Sequence, residues 1–468
     1  MNKIDLAFTS ALQQAQLIRN REISPLELVE IYLERIELLN SQLGSYFTVT
    51  ADLAIADAKV KTEILATHSK TDSELPPFFG VPISIKDLNP VAGIPCTYGN
   101  PSLLNYIPEY DDGVVVKIKQ AGFIILGKTA ASEVGSLPYA EPTGFRPARN
   151  PWNLEYTAGG SSAGAASSVA AGLCGIAQGS DGGGSIRIPA ACCGLVGIKP
   201  SRGRVTHAPV GDRLNGIATN GPIGRTVADT AALLDSMSGY VMGDPYWLPN
   251  PEKSFLAATE EKIGSLRVAY ATGLFPFGEA DANCKQGVLE TVKLLEELGH
   301  KIEEKSIDLS GLIQPFQTTW QTNVATSGLP PEVLQPLNRY LLSRNCSAGE
   351  YMKAVYQMQM VARQIVALFC SFDVLVLPVY MHSPMRVGEW GNLSPEDTFE
   401  KIIRWVAPCP AANATGQPAI ALPVGFDSKG LPLSVQIVGK PAAETTLISL
   451  AAQIEAARPW IGRRPHFD

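Results

Sequence analysis

The chain has 468 residues, 45% of them hydrophobic and 18% charged, with a formal net charge of -7. This composition fits a folded chain with a large core, and its acidic balance excludes the basic footprint of a nucleic-acid binder. Residues 1–10 lack the charged-then-apolar pattern of a secretory signal, and no window holds the ~18 uninterrupted apolar residues of a membrane span, so a cytoplasmic protein away from membranes is expected. The eight cysteines are scattered and Cys192 and Cys193 are adjacent, which is neither a disulfide framework nor a CxxC metal site. A reducing compartment and no metal follow as expectations.

Ser24-Pro25-Leu26-Glu27 predicts a helix start, because Ser24 can cap, Pro25 suits the first helical position and Glu27 completes a capping box. Leu28, Ile31, Tyr32, Ile36 and Leu39 continue at helical spacing, and a second helix is expected over 51–66. Val81, Ile83 and Ile85 then alternate with Pro82, Ser84 and Lys86, the pattern of a strand that ends at Lys86-Asp87. Residues 113–121 read as a helix and 123–127 as a short buried strand, and helix-then-strand order argues for a mixed α/β sheet. Residues 129–149 are loop-rich, and 153–158 read as polar loop.

Residues 159–204 stand out. Two serines are framed by glycines: Ser161 in Gly159-Gly160-Ser161-Ser162, and Ser185 in Gly182-Gly183-Gly184-Ser185-Ile186-Arg187. Glycines directly before a serine let several backbone N–H groups converge on one point. A flexible linker is excluded by Ile186, Ile188, Leu195, Val196 and Ile198, which belong in a core.

Further on, helices are predicted over 227–237, 279–298 and 351–370, and strands over 266–270, 301–307, 372–378 and 433–438. Residues 244–256 read as a surface excursion, and 315–351 as mostly helical.

Together the glycine-framed serines and the segment Gly80-Val81-Pro82-Ile83-Ser84-Ile85-Lys86-Asp87 resemble the two motifs of the amidase signature family of serine hydrolases, in the right order. The similarity runs from about residue 24 to about residue 450. It implies a mixed β-sheet core surrounded by helices on both faces, in one domain over 1–468. Within it lie N-terminal helices over about 8–66, the signature core over about 76–240, a variable substrate-pocket region over about 241–371 and C-terminal core strands and helix over about 372–457. The resemblance implies a Ser–cis-Ser–Lys triad: Ser185 as nucleophile, Ser161 as bridge after a cis Gly160–Ser161 bond, and Lys86 as base. Gly182, Gly183, Gly184 and Ser185 would supply the oxyanion hole, and Gly135 would align with a substrate-lining position. Glu133 matches the family, whereas Ala130 stands where an asparagine is common. Asp181 and Arg187 are expected to form a structural ion pair.

A lysine acts as a base only when neutral, so Lys86 would need its pKa lowered from about 10.4 to about 7–8 by burial. Gly160-Ser161-Ser162-Ala163-Gly164 also matches the G-x-S-x-G elbow, which demands a preceding buried strand and a histidine; neither is evident, and the five histidines read as surface or packing residues. No cofactor motif is present. The expected activity is hydrolysis of a small-molecule carboxamide, closest to hydrolases of aryl, alkyl and cyclic oligomeric amides, with a homodimer as the expected assembly. Two alternatives stand. One is the A subunit of glutamyl-tRNA(Gln) amidotransferase, which usually has threonine at Gly182 and glutamine at Ile188. The other is a non-catalytic binding domain on the same fold.

Overall fold

The computed structural model describes residues 2–69 and 74–467. Its frame is an 11-stranded sheet. In spatial order the strands are Tyr46–Val49, Ile124–Thr129, Pro82–Lys86, Ile176–Asp181, Thr219–Gly224, Val196–Lys199, Ala419–Phe426, Pro432–Gly439, Val374–Pro378, Arg267–Tyr270 and Lys301–Glu304. The middle of the sheet is antiparallel, from Ile176–Asp181 through to Val374–Pro378. Parallel pairs flank it: Pro82–Lys86 runs parallel to both its neighbours, and Arg267–Tyr270 to both of its own. Helices cover both faces, so the sheet reads as a mixed α/β core.

The local signals act as the residues dictate. Ser24 and Glu27 form the reciprocal capping box, and the helix Pro25–Leu43 buries Leu28, Ile31, Tyr32, Ile36 and Leu39. The second helix is Ala51–Thr67. Gly113–Gln120, Val227–Met237, Ala282–Glu297 and Ala348–Leu368 are the other predicted helices. The unit Arg267–Tyr270, Ala282–Glu297, Lys301–Glu304 adds two parallel strands to one edge of the same sheet.

Two expectations need correction, the start of the N-terminal helices and the loop over 153–158. The N-terminal helices begin at Lys3, not near residue 8: Lys3–Phe8 and Ala11–Arg19 are capped by Asn2 and Ser10. Both are short, which weakens the periodic signal. The strand predicted to end at Lys86 is present as Pro82–Lys86, and all five of its residues are buried. The strand lies between two sheet neighbours and packs against the helix Ala163–Ala170, and even Ser84 and Lys86 are enclosed. The loop expected over 153–158 contains a strand, Asn153–Thr157, paired with Arg149–Asn150 in a separate two-stranded ribbon. Asn150 closes the turn by accepting from Trp152 N at 3.0 Å. Residues 395–406 carried no prediction. They form a helix whose Phe399, Ile402, Ile403 and Val406 fall on one face.

Candidate active site

Pro82–Lys86 and Ile176–Asp181 run parallel and side by side, so their C-terminal ends meet. Ligand sites in such sheets form beyond the carboxyl ends of parallel strands. Here the arrangement delivers Lys86 to Ser180: Lys86 Nζ donates to Ser180 Oγ at 3.0 Å and to Ser180 O at 3.2 Å. The same ammonium nitrogen donates to Ser161 Oγ at 2.8 Å. The backbone is fixed as well, with Lys86 N donating to Gln178 Oε1 at 3.0 Å.

Ser161 comes from the opposite direction. It precedes the helix Ala163–Ala170, which packs on the strands that carry Lys86 and Ser180. The Gly160–Ser161 peptide is cis. Gly160 has no alternative there, because a Cβ would lie 2.6 Å from Tyr139 N. Lys86 is fully buried, and desolvation first of all lowers its pKa from 10.5 to about 7. The Asp181 carboxylate acts in the raising direction and the Arg213 guanidinium in the lowering one.

Ser185 follows the loop that leaves Ile176–Asp181. Asp181 organises that loop. Its carboxylate accepts from Gly184 N at 2.7 Å, Ile186 N at 3.1 Å and Arg187 N at 3.4 Å. Arg187 meets it with two nitrogens, Nε and NH2, each at 3.0 Å, inside a fully buried ion pair. Asn413 Nδ2 adds a bond at 2.9 Å, and Arg187 also reaches Cys409 O, Gln436 Oε1 and Asn413 Oδ1. Burial pushes the Asp181 pKa up, yet Arg187 and Asn413 together hold it well below the usual carboxylate range. The expected structural pair is therefore present.

The expected site residues separate into groups. Lys86 and Ser161 are hydrogen-bonded, and Ser162 N donates to Ser185 O at 3.2 Å, which docks the second serine beside the first. Among the described residues Ser185 Oγ has no hydrogen bond, and none joins it to Ser161; its hydroxyl lines a cavity instead. Gly183 lines that cavity too, and no protein acceptor among the described residues takes the N–H of Gly182, Gly183 or Ser185. Gly184 differs from the expectation, because its N–H is already engaged by Asp181. Its φ of 124° and the 2.7 Å approach of a would-be Cβ to Ile188 Cδ1 make it a conformational glycine. Gly135 sits over the pair, where a Cβ would come 3.7 Å from Ser161 Oγ, and the neighbouring Ser136, Leu137 and Pro138 line the cavity. Glu133 points elsewhere. It accepts from Asn100 Nδ2 at 2.8 Å, Gln335 N at 2.9 Å and Asn338 Nδ2 at 2.5 Å, tying residues 335–338 to the core.

Sequence reasoning missed Ser180 and Asn413 as members of this network. Ser162, the centre of the G-x-S-x-G match, donates to Ser180 O at 3.1 Å and accepts from Ser180 N at 3.2 Å. That ties it to backbone, and the strand before it lies outside the main sheet. His207, His300 and His382 are bonded to Ala218 O, Gln453 Oε1 and Ser383 O.

The cavity at Ser185 is lined chiefly by apolar side chains. Phe316 and Trp320 come from Ser310–Thr326, stacked at 5.9 Å, and Phe399, Ile402 and Val406 from Pro395–Val406. Among the described residues no charged side chain lines it. No group of three or more metal-ligating side chains occurs among the described residues, and no helix there is long and apolar enough to cross a membrane.

A family profile described as Amidase matches residues 27–448. A Synechocystis protein named "Putative amidase" is 53% identical over 451 residues, covering 96% of this chain and 89% of that one. The structure of a 6-aminohexanoate cyclic dimer hydrolase superposes with a TM-score of 0.91 at 30% identity, covering 98% of this chain and 99% of that one. A bacterial aryl acylamidase of the amidase signature family superposes with a TM-score of 0.87 at 26% identity, with 97% of each chain covered. The sheet, the paired glycine-framed serines and these likenesses agree, and the chain belongs to the amidase signature family, a hydrolase acting on amide C–N bonds.

Proposed function

We propose that the protein hydrolyses a carboxamide carrying an apolar chain or ring, through an acyl-enzyme on Ser185. The observation that carries this is the buried Lys86–Ser161 hydrogen bond at 2.8 Å beside an apolar cavity lined by Ser185. Ser185 Oγ attacks the amide carbon while its proton passes to Ser161 and the Ser161 proton passes to neutral Lys86. The hydroxyl must first turn from the cavity towards Ser161, a change of side-chain rotamer that substrate binding would bring about. The oxyanion that forms is met by the unengaged N–H groups of Gly182, Gly183 and Ser185, with Gly184 and Asp181 keeping the loop in shape. Collapse breaks the C–N bond, the leaving nitrogen takes the proton back through Ser161, and water then releases the acid by the same relay.

The apolar lining favours this reading over glutamine hydrolysis. Glutamine brings an ammonium and a carboxylate, and burying either without a partner is costly; among the described residues no charged one lines this cavity to receive them. The eight unpaired cysteines among the described residues support a reducing, cytoplasmic setting. The test is a panel of aryl, alkyl and cyclic amides plus glutamine with the protein purified alone. Labelling by a fluorophosphonate, located by mass spectrometry, accompanies it. Turnover of apolar amides and a label on Ser185 are expected. Ammonia from glutamine alone, or a label on Ser162, would overturn the proposal.

A further inference from the structure

A second cavity adjoins the one at Ser185. Leu137 lines both, and the helix Pro395–Val406 offers Phe399 to the first and Thr398 to the second. The segment 135–141 thus runs from above Ser161 past the first cavity into the second. The chemistry changes along it. Tyr139 and Trp390 form a corner of the second cavity, their rings 5.8 Å apart at 83°. Opposite charge is supplied by Glu141, the single carboxylate among the described lining residues. One of its oxygens accepts from Gly388 N at 3.0 Å, and among the described residues no cation forms an ion pair with it. Arg149, the guanidinium that acts on it electrostatically, donates instead to Leu154 O at 2.6 Å. The remaining charged lining residue, Arg386, is spent on Glu155 at 3.2 Å and lies over the Tyr156 ring.

The edge-to-face Tyr139–Trp390 pair and a carboxylate with no ion-pair partner among the described residues make a site for a cation: an aromatic face attracts it through its quadrupole and the carboxylate neutralises it. We propose that this cavity is an ammonium-binding subsite, so that the preferred substrates are amides whose apolar chain ends in a primary ammonium group. The inference rests on the reading of Ser185 as the acylated residue. It makes sense of the pairing of cavities, with an uncharged slot for the chain and a cationic seat at its end.

The test uses matched anilides of alkanoic acids with a methyl, an ammonium or a carboxylate at the chain end, and the corresponding N-alkyl amides, over a series of chain lengths. In one of the two series kcat/KM should favour the ammonium compound over its methyl analogue by about tenfold, through KM rather than kcat. In Glu141→Gln that ratio should collapse towards one. The wild-type ratios decide the matter alone should that variant not fold. Equal turnover of methyl and ammonium compounds, or preference for the carboxylate, overturns the subsite while leaving the amidase reading intact. Failure to turn over any compound, with no fluorophosphonate label on Ser185, overturns the amidase reading and the subsite with it.

Discussion

Replacing Lys86 by methionine separates the base role proposed for this residue from what its burial costs the fold. The side chain is fully buried, and burial lowers its pKa from 10.5 to about 7. At 1.36 kcal/mol per pH unit, that drop corresponds to about 5 kcal/mol of stability forgone whenever the folded lysine is protonated. The unfolded chain binds the proton up to 10.5 and the folded chain only up to about 7. The penalty is therefore full below pH 7, shrinks as pH rises between those values, and vanishes above 10.5. Methionine has a similar length and no charge. It leaves Ser161 Oγ and Ser180 Oγ without their Lys86 donor, a loss of about 1–3 kcal/mol. Net stabilisation near pH 6 is thus about 2–4 kcal/mol. With an unfolding entropy of about 2.1 cal/mol/K per residue over 468 residues, this raises Tm by about 2–4 °C. Activity should move the other way, falling by about 10²–10⁴ with the base removed. Scanning calorimetry from pH 6 to 10 and kcat/KM from pH 5 to 9 check both halves. The wild-type kcat/KM should rise along a limb centred near the Lys86 pKa of about 7. A flat wild-type profile with the fold intact, or a methionine variant that melts lower at pH 6, would refute the reasoning.

Three further outcomes are expected. Lys86→Ala and Ser161→Ala should each cripple acylation, and the double variant should be scarcely slower than the worse single, since relay members act as one unit; additive losses measured with the fluorophosphonate would break the relay. Asp181→Asn should cost about 3–5 kcal/mol in a denaturant melt, because it leaves Arg187 buried without its charge partner, and the loop bearing Ser185 should loosen in hydrogen exchange; an unchanged melt would contradict the role given to the pair. Glu455 lies beside Asp229 and burial raises its pKa from 4.5 to about 7, so its contribution to stability is present below pH 4.5 and lost as pH rises through about 7. Glu455→Gln should therefore raise Tm at pH 8 and leave it near the wild-type value at pH 4.5.

Much of the frame was legible from local pattern. Helix caps, strand alternation and glycine-framed serines act within a turn or two of the chain, so Ser24 and Glu27 could be paired from sequence alone. So could the end of a strand at Lys86 and the paired arrangement of Asp181 with Arg187, which lie six residues apart. The helix Pro395–Val406 carried an equally plain apolar face that went unread. What the sequence could not carry depends on distance in space. Lys86 and Ser161 are 75 residues apart, and only the order of strands in the sheet brings them to 2.8 Å. Burial on both faces, rather than the residues beside it, lowers the pKa of Lys86. The N–H of Gly184 turned out to serve Asp181, since the loop folds around that carboxylate. Two helices from separate parts of the chain, Ser310–Thr326 and Pro395–Val406, close the apolar cavity over Ser185. Which chemistry this chain performs was written in its motifs; which amide it admits was decided by packing, because a cavity wall is built from side chains whose neighbours are chosen by the fold and not by the chain.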